Sequence, residues 1–580
     1  MLKELRTLFP YFYRYKFRYL CGFLFLAVAS GGQMLIPQIL RRVVDIMNDG
    51  VSTREGIAAL VIRLLVVAAC ISVARFGWRH FIHGCSRRIE AELRDRLFRH
   101  LLALHAGFFA RKKTGDLMAC STNDMQAVRM ASGMALVALA DGVFMTLAIL
   151  IILFREAPRI TLYVVLPLPL ITVFMILLGT AVGRLFKKVQ DAFASLSGQA
   201  QESIAGIRVI KSFVLEGWFL KKFGAENEAY LRANIGLVRL WGVFHPCITF
   251  LSGLTGVLLL YFGGKAVLAR NLSPGLLVAI FSYLEMLIWP MIGAGFTVNL
   301  LQRGAAALGR INAVLYEKPL VTSCAEGRRR KPSEGLSVRG LCFRYAPELP
   351  PVLEDVSFEL PAGRTLGILG RTGCGKTTLV SLLPRIYDPP RGTIFLDGTD
   401  ILDYDLGTLR AAFGVVPQDT FLFSASLAEN IAFGGAAGLS EKDIAALAEI
   451  STIARDARGF PRGLETQIGE RGLTLSGGQK QRVAISRGLA GNPELLVCDD
   501  ALSAVDTETE ETILDRVLAE RRGKTNLIIS HRIRALSFCD HIIVLDAGRV
   551  VQRGTHRELL AQSGFYRDIH TLQTTGGRPA

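Results

Sequence analysis

The sequence Gly370-Arg-Thr-Gly-Cys-Gly-Lys376-Thr377-Thr378 fits the pattern G-x-x-x-x-G-K-[ST]. An apolar run predicted as a strand, residues 365–369, precedes it, and a predicted helix, residues 377–383, follows it. Glycines let backbone N–H groups close on phosphate oxygens, and a helix N-terminus adds a dipole that favours negative charge. The stretch therefore predicts a phosphate-binding loop in an α/β domain, where Lys376 reaches the β- and γ-phosphates and Thr377 holds Mg²⁺.

A second apolar strand, predicted over residues 495–498, ends in Asp499 and Asp500. In ATPases with a phosphate-binding loop, a strand that ends in a carboxylate supports Mg²⁺. Taken alone, two acidic residues could equally be the solvated end of a strand. Together with the upstream loop, they predict that Asp499 helps to hold the magnesium ion of a bound nucleotide.

The first half of the chain is too apolar for a soluble domain. Hydrophobic residues make up 51% of the 580 residues, and the mean hydropathy is +0.36. A bilayer core needs about 20 apolar residues per helix. Six stretches meet that length, at residues 19–40, 57–82, 134–154, 161–182, 243–268 and 276–300. The second is the weakest, because Arg63 and Arg75 interrupt it.

The net charge of +17 has two readings. A basic chain can bind nucleic acid, or its basic residues can lie on cytoplasmic loops beside anionic lipid. The six apolar stretches favour the second reading, with no nucleic-acid partner. The long connections after spans 2 and 4 are rich in Arg and Lys, so the positive-inside rule places them and both termini in the cytoplasm. Residues 5–17 mix aromatic and basic side chains, which predicts a helix lying in the membrane interface.

Composition changes once along the chain. We predict a transmembrane domain over residues 1–320, a charged linker over 321–334 and a globular domain over 335–580. The ten cysteines show no paired or clustered spacing, so we expect reduced thiols and no zinc site. The basic N-terminus leads into a long apolar stretch without a cleavage signal, which predicts a span rather than a removable signal peptide.

Further short motifs surround the two acidic residues and the phosphate loop. They are Tyr345 in Phe-Arg-Tyr, Gln418 in Val-Val-Pro-Gln-Asp, Gly469-Glu-Arg-Gly472, Leu475-Ser-Gly-Gly-Gln479, Ser503-Ala-Val-Asp506 and His531 in Ile-Ile-Ser-His-Arg. In order and spacing they resemble the adenine-stacking tyrosine, Q-loop, X-loop, signature, D-loop and switch histidine of ABC ATPases. Together with the spans and the two long cytoplasmic connections, they make the whole chain resemble an ABC exporter half-transporter.

The resemblance implies a membrane protein with an all-α six-helix transmembrane domain of ABC exporter type and an α/β P-loop nucleotide-binding domain. It implies ATP and Mg²⁺ as ligands, and a location in the inner (cytoplasmic) membrane with the ATPase domain in the cytosol. Catalytic roles fall on Asp500, His531 and Gln418, and Mg²⁺ contacts on Thr377, Gln418 and Asp499. Nucleotide contacts fall on Tyr345, Gly370, Arg371, Thr372, Gly373, Cys374, Gly375, Lys376, Thr377, Thr378, Ser476, Gly477, Gly478, Gln479 and Asp506.

The resemblance also implies a partner, because ABC ATPase domains dimerise head to tail around two ATP molecules. The sequence departs from the family at Asp500, where a glutamate usually orients the attacking water. Aspartate is one methylene shorter, so its carboxylate falls short by roughly 1 Å, which can cost on the order of 100-fold in rate. We therefore predict a weakly hydrolytic site and favour a heterodimer with a second half-transporter that carries the glutamate. A homodimer stays open.

The substrate is less well specified than the ATPase. The tips of the two long connections, near residues 114–118 and 204–208, resemble the coupling helices of the family. Asp141 and Glu285 are carboxylates inside predicted spans, and Phe281, Tyr283, Trp289 and Phe296 add aromatic surface. These residues suit small amphipathic compounds, but they also fit ordinary helix packing. A multidrug, lipid or peptide exporter, an ATP-gated channel and a nucleic-acid ATPase are the alternatives.

Overall fold

A computed structural model describes residues 2–48, 54–324, 327–329, 335–435, 438–469 and 475–574. The chain forms two compact units. The first comprises Met1–Leu102 and Thr114–Glu317, and the second comprises Ala103–Lys113 and Lys318–Ala580. The second unit thus takes in a short segment of the first long connection, which the sequence had assigned to the transmembrane domain. Most of the predicted linker, residues 325, 326 and 330–334, lies outside the described residues.

In its described residues, the N-terminal half consists of helices joined by short turns, with no strands. Its helices are α1 Leu2–Leu5, α2 Phe9–Arg14, α3 Lys16–Asn48, α4 Arg54–Trp78, α5 Gly84–Ala103, α6 Ala106–Arg111, α7 Thr114–Ala119, α8 Met125–Met130, α9 Leu136–Glu156, α10 Pro158–Val165, α11 Leu168–Ala205, α12 Ile207–Ser212, α13 Glu216–Leu258, α14 Gly264–Leu268 and α15 Pro274–Leu315. Short π-helical turns join several neighbours into longer rods, at Arg79–His83, Cys120–Asp124, Ala131–Ala135 and Leu259–Gly263.

Within the part of the chain that the structure describes, five helical segments are long and apolar enough to cross a bilayer. They are Lys16–Asn48, Glu55–Ala103, Thr114–Glu156, Glu216–Leu268 and Pro274–Leu315. Each contains one predicted span. The predicted fourth span, residues 161–182, is not one helix, because the chain breaks between α10 and α11. Pro167 lies at that break, since its ring removes a backbone N–H that an unbroken helix would use.

Polar contacts tie these apolar helices together. The Tyr283 hydroxyl of α15 donates to the Met34 carbonyl of α3 at 2.8 Å. The Tyr19 hydroxyl donates to the Ser132 carbonyl at 2.9 Å. Both tyrosines are buried. A buried hydroxyl costs free energy unless it is hydrogen-bonded, so these bonds fix which helix faces meet.

The predicted interfacial helix over residues 5–17 is divided in the structure. Residues 2–14 form α1, a 3₁₀ turn at Arg6–Leu8 and α2, and Tyr15 leaves helical geometry before α3 begins. Phe9, Tyr13 and Phe17 are exposed, which fits contact with a membrane surface. Side-chain bonds hold the segment to the bundle, because the Tyr15 hydroxyl donates to Glu92 at 2.5 Å.

Among the described residues from 318 onward, the second unit contains two sheets and ten α-helices. Its strands are β1 Gly335–Phe343, β2 Leu353–Pro361, β3 Thr365–Gly370, β4 Ile394–Leu396, β5 Thr399–Asp400, β6 Phe413–Val416, β7 Leu495–Asp499, β8 Thr525–Ile529, β9 His541–Asp546 and β10 Arg549–Gly554. Its helices are α16 Lys376–Leu382, α17 Leu406–Ala412, α18 Leu427–Ala432, α19 Glu441–Ile450, α20 Ile453–Ala457, α21 Gly477–Ala490, α22 Thr507–Glu520, α23 Ile533–Leu536, α24 His556–Ala561 and α25 Phe565–Thr574.

The larger sheet explains how distant motifs meet. Its strand order is β10-β9-β3-β8-β7-β6, and β3, β8, β7 and β6 run parallel. All six residues of β3 are buried, which matches the continuous apolar run in the sequence. Ligands of open α/β sheets bind outside the carboxyl ends of the strands. The phosphate loop, His531, Asp499 and Gln418 all lie at or just after those ends.

A glycine at the end of β3 allows the loop to pack closely. A Cβ atom on Gly370 would lie 2.4 Å from the Leu545 carbonyl oxygen and 2.6 Å from the Cys374 sulfur. We expect Gly370→Ala to lower the free energy of unfolding of the ATPase unit by about 1–3 kcal/mol, because an overpacked core shifts its backbone. Thermal unfolding of the full-length protein measures this change.

The matched control for that substitution is Gly459→Ala. Its new Cβ atom would meet only the Asp456 carbonyl oxygen, at 3.4 Å. This variant should unfold within about 0.5 kcal/mol of the unaltered protein, as surface changes usually do. Equal unfolding temperatures for Gly370→Ala and Gly459→Ala would contradict the close packing at the phosphate loop.

Candidate nucleotide site

The loop between β3 and α16 has the backbone of an anion-binding turn. Gly373 and Gly375 have φ angles of 82° and 102°, in the left-handed region that favours glycine. Gly375 is also the N-cap of α16, so the helix N–H groups begin at the loop. A Cβ atom on Gly375 would lie 2.6 Å from Leu353, which excludes a larger residue. The loop therefore presents backbone N–H groups and a positive helix end to an anion.

Lys376 lies inside this loop rather than pointing into solvent. Its ammonium donates to the Gly370 carbonyl at 2.8 Å and to the Arg371 carbonyl at 2.7 Å, and it lies 3.7 Å from the Cys374 sulfur. The side chain is buried. A buried ammonium needs such partners, and a phosphate that enters the loop can replace them.

Asp499 connects the loop to the end of β7. The Thr377 hydroxyl hydrogen-bonds its carboxylate, and the charges of Lys376, His531 and Asp500 all act on it. Burial raises the pKa of Asp499, and the neighbouring Asp500 raises it further, while Thr377, Lys376 and His531 oppose this shift. The fold thus brings together five residues that were predicted from three separate motifs.

Asp500 follows β7 in a restrained backbone conformation. Its side chain is buried, and its φ angle is 47°. Its N–H donates to the Ile529 carbonyl of β8 at 2.9 Å, and its own carbonyl accepts from the Ser503 hydroxyl at 3.0 Å. Aspartate is among the few non-glycine residues that adopt this left-handed conformation readily. The position of the carboxylate is therefore set by a backbone that cannot shift freely.

His531 lies directly after β8, and two neighbouring elements hold its segment. Gln573 of α25 donates to the His531 carbonyl at 2.8 Å and accepts from the Ile533 N–H at 3.0 Å. Arg532 pairs with the buried Glu510 and donates to the Val505 carbonyl at 3.1 Å. Sequence reasoning missed these contacts. The only sign of them in the sequence is that Arg532 is next to His531.

The predicted signature residues begin helix α21. The Ser476 hydroxyl accepts from the Gln479 N–H at 3.3 Å, and the Gln479 side chain accepts from the Ser476 N–H at 2.9 Å. This reciprocal cap leaves the N–H groups of Gly477 and Gly478 at the start of a 14-residue helix. A Cβ atom on Gly478 would lie 2.9 Å from the Ala504 carbonyl oxygen, so the glycine also makes room for the D-loop.

Gln481 anchors the D-loop to this helix and was not predicted. Its amide donates to the Ser503 hydroxyl at 3.0 Å and accepts from the Ala504 N–H at 2.9 Å. The side chain is buried. Its only signal in the sequence is weak, since Gln481 occurs in the Lys-Gln-Arg triplet directly after the signature.

We expect Gln481→Leu to loosen the D-loop, because it removes both hydrogen bonds and leaves the Ala504 N–H without its partner. Such an unpaired group costs about 1–3 kcal/mol. The measurements are thermal unfolding and ATP turnover of the full-length protein, and both should fall. Lys480→Gln on the same helix is the control. If the two variants have the same unfolding temperature and the same ATP turnover, Gln481 does not hold the D-loop.

Three other predicted residues occupy different surroundings. The Tyr345 hydroxyl hydrogen-bonds Thr378 at 2.9 Å, and its ring packs edge-on against Tyr387 with centroids 5.1 Å apart. Gln418 is exposed in the loop after β6. Asp506 caps α22 by accepting from the Thr509 N–H at 3.0 Å, a bond that holds its pKa below the usual value. Residues 470–474, which include most of the predicted X-loop, lie outside the described residues.

The segment Ala103–Lys113 belongs to the same unit as the nucleotide site. Leu104, His105 and Phe108 are buried there. A Cβ atom on Gly107 would lie 3.5 Å from the Tyr387 ring. The predicted tip of the first long connection, residues 114–118, belongs to the first unit instead. The helix that belongs to the ATPase unit is therefore α6 and not α7, because Phe108 of α6 is buried there. The second predicted tip, 204–208, contains the junction of α11 and α12 at Gly206.

The cysteines are unpaired throughout. All ten are free thiols, and among the described residues no group of His, Cys, Asp and Glu could hold a metal ion by itself. Cys498 precedes Asp499 in β7, and burial raises the pKa of its thiol to about 12. It is therefore a structural residue of the sheet rather than a nucleophile.

In the membrane unit, Asp141 and Glu285 line a common cavity with Trp289. Phe281, Trp289 and Phe296 are exposed, as predicted for aromatic surface. Tyr283 is not part of that surface, because it is buried and its hydroxyl bonds to Met34. Tyr283 lies on the face of α15 that packs against α3, and this face does not line the cavity.

The fold and the loop geometry define a membrane-embedded protein with a P-loop ATPase domain. Residues 19–291 match the family model of the ABC transporter transmembrane region, and residues 353–503 match the ABC transporter family model. The chain belongs to the ABC transporter family. The chain is a multi-pass membrane ATPase that couples ATP hydrolysis to transport, and the family exporters that it resembles work as dimers.

Known proteins that resemble the chain cover nearly all of it. A probable multidrug resistance ABC transporter ATP-binding/permease protein, YheI of Bacillus subtilis (strain 168), is 35% identical over 99% of this chain and 98% of its own length. The multidrug resistance-like ATP-binding protein MdlA of Escherichia coli (strain K12) is 36% identical over 97% and 95%. A bacterial Atm1-family ABC exporter with ATP bound has a TM-score of 0.77 and 26% identity, and covers 96% of this chain and 98% of that chain.

Proposed function

We propose that this chain is one subunit of an inner-membrane exporter of amphipathic compounds, with its ATPase unit in the cytosol. The observation that carries the proposal is the meeting of Lys376, Thr377, Asp499 and His531 at the carboxyl edge of one parallel sheet, in a chain with membrane-spanning helices. The similarity to multidrug resistance proteins supports the substrate class.

The nucleotide-binding role of the loop follows from its donors. The backbone N–H groups of residues 373–378 would hold the phosphates, and Lys376 would exchange its carbonyl partners for phosphate oxygens. The exposed ring of Tyr345 would stack on the adenine. Binding of ATP replaces weak loop contacts with charge-assisted hydrogen bonds, which are roughly twice as strong as neutral ones.

The residues present also fit Mg²⁺. The Thr377 hydroxyl and the Asp499 carboxylate already contact each other, and both are the oxygen donors that this ion prefers. Gln418 would supply a third oxygen from the loop after β6. When bound, Mg²⁺ neutralises phosphate charge.

A second subunit would complete each site. The capped helix start at Ser476, with Gly477 and Gly478 at its first turn, offers N–H groups and a positive dipole to the γ-phosphate of ATP held by the partner. Bound ATP would hold the two ATPase units together, and hydrolysis would release them. Alternation between these states moves the membrane helices and exposes the substrate to the other side.

Asp500 limits hydrolysis at the site of this chain and favours a heterodimer. Its buried side chain stands where the family usually has glutamate, and its backbone bonds to β8 and Ser503 prevent a shift that would make up the missing methylene. The intact signature helix of this chain would complete the partner's faster site. A homodimer with two slow sites is the alternative.

The test of this proposal is ATP turnover by the full-length chain in liposomes, alone and with a half-transporter that carries glutamate at this position. We expect slow turnover by the chain alone and a rise of about 100-fold for the pair. Full turnover by the lone chain would exclude the heterodimer. Absence of ATPase activity in both preparations would exclude the ATP-driven exporter itself.

A further inference from the structure

A cavity of about 600 Å³ in the membrane unit combines charge with apolar surface. Asp141 of α9 and Glu285 of α15 both line it, together with Trp289. This volume lies within the usual range for small-molecule sites, about 300–1,000 Å³. No lysine, arginine or histidine is among its described lining residues. The described lining therefore has two carboxyl groups and no basic side chain.

The two prolines of this cavity add acceptors to it. Pro37 lies inside α3 and Pro290 inside α15, and both line the cavity. Proline has no N–H, so each removes the helical hydrogen bond to the carbonyl four residues earlier. Those carbonyls belong to Gln33 and Met286, which line the same cavity. The lining side chains that can accept include the two carboxylates, and Gln33, Ser282 and Trp289 add side-chain donors.

The two carboxylates differ in how they are held. The Ser30 hydroxyl of α3 lies 2.5 Å from an Asp141 carboxylate oxygen and 3.0 Å from the Leu26 carbonyl oxygen, and it can donate to either. The contact with Ser30 holds the Asp141 side chain in place. Glu285 is exposed, and no partner is recorded for it among the described residues. A carboxylate in a membrane-spanning helix is costly unless it meets a cation or water. Glu285 is therefore an exposed carboxylate that a cationic ligand in the cavity can reach.

An apolar cavity adjoins the acidic one. Its volume is about 430 Å³, and Leu139, Val143, Leu147 and Met291 are among its lining residues. Pro290 lines both cavities, so they meet at that residue. A ligand that spans them has a charged end beside the carboxylates and an apolar body beside α9.

We propose that the paired cavities bind an amphipathic amine in its protonated form, with Asp141 and Glu285 as counter-charges. The two carboxylates accept N–H donors, so primary or secondary ammonium groups are preferred over quaternary ones, and two ammonium groups over one. Trp289 adds a ring face for the cation. This inference deepens the proposed export function and rests on it for transport, but ligand binding itself does not need ATP.

The test uses the full-length protein in phosphatidylcholine nanodiscs and four dansyl probes with the same alkyl chain. Their ends are an alcohol, a trimethylammonium, a primary ammonium and a diammonium. Fluorescence titrations, corrected with empty nanodiscs, give the dissociation constants. We expect the affinity to rise in that order. Asp141→Asn and Glu285→Gln keep side-chain shape and should each weaken the primary ammonium about tenfold or more, with less than a twofold change for the alcohol.

Glu228→Gln, an exposed change on α13, is the matched control and should leave all four constants unchanged. Equal affinities for the four probes would overturn the proposed ammonium site. Equal losses of affinity for the alcohol and the primary ammonium probes in Asp141→Asn and Glu285→Gln would also overturn it. Loss of assembly with the partner subunit in either cavity variant would also overturn it, because the carboxylates would then be interface residues.

Two more arms separate the source of the ligand from the export function. Addition of phosphatidylethanolamine to the nanodiscs displaces the ammonium probe if the natural ligand is a lipid headgroup, and leaves it bound if the ligand is a free amine. Both results support an ammonium site. Selective binding without ATP-dependent transport would contradict the proposed function alone, whereas transport that ignores both cavity variants would contradict this inference alone.

Discussion

Replacement of Asp500 by glutamate is expected to raise ATP hydrolysis at the site of this chain by about 100-fold. The extra methylene moves the carboxylate by roughly 1 Å toward the attacking water, and a misplacement of that size costs about that factor. The backbone of residue 500 is fixed by its bonds to Ile529 and Ser503, so the longer side chain is what closes the gap. The measurement is single-turnover hydrolysis by the full-length protein in liposomes.

The control for this prediction is Asp515→Glu, the same chemical change on helix α22 outside the site. It should leave turnover unchanged. Asp500→Asn should lower any remaining activity, because it removes the charge and keeps the size. Unchanged hydrolysis in Asp500→Glu would mean that the reach of the carboxylate is not what limits this site, and the argument for a heterodimer would lose its physical basis.

Removal of Lys376 is expected to weaken ATP binding by about 100-fold or more. Its ammonium is buried within the loop and donates to the Gly370 carbonyl, in the position from which we propose that it contacts the β- and γ-phosphates. Two charge-assisted hydrogen bonds, each contributing about 1.5–3 kcal/mol, account for an effect of that size. The measurement is titration of the full-length Lys376→Ala protein with a fluorescent ATP analogue.

Folding must be separated from binding in that experiment. Lys376 also donates to the Gly370 and Arg371 carbonyls, so alanine leaves a gap in the loop. Lys376→Met restores the volume without the charge and should bind as weakly as alanine while unfolding nearer the native temperature. Lys442→Ala, on α19, is the surface control. A folded Lys376→Met protein with native ATP affinity would refute the assigned role.

The ATPase site was largely predictable, because its functional residues occur in short runs of adjacent residues. The loop from Gly370 to Thr378 needs glycines at fixed positions, and each strand that feeds the site is a continuous apolar run ending in a polar residue. Parallel strands bring such ends to one edge, so the meeting of Lys376, Asp499 and His531 follows from local patterns plus one rule of sheet topology. The roles of these residues in hydrolysis remain predictions.

The supports of the site could not be predicted, because they depend on tertiary contacts between side chains far apart in the chain. Gln481 holds Ser503, and Gln573 holds the backbone of His531. Neither residue type has a distinctive spacing. The same reason explains Tyr283, whose hydrophobic ring fits both a cavity and a helix contact until α3 is placed beside it.

The helical half shows a second limit of sequence reasoning. Hydropathy predicts six spans, and five of them lie in the long apolar helices of the described residues, since a bilayer imposes a simple length. It did not show that Pro167 divides the predicted fourth span, or that α6 packs in the ATPase unit. Both features depend on backbone geometry and burial of a few side chains, which a hydropathy window averages out.

The most direct test of the account is accumulation of an amphipathic amine in inside-out membrane vesicles that contain the full-length chain and its partner. The account predicts that accumulation against a gradient requires ATP and is lost in the Lys376→Met variant. Equal accumulation without ATP, or in vesicles with that variant, would contradict the claim that nucleotide held between two ATPase units drives export.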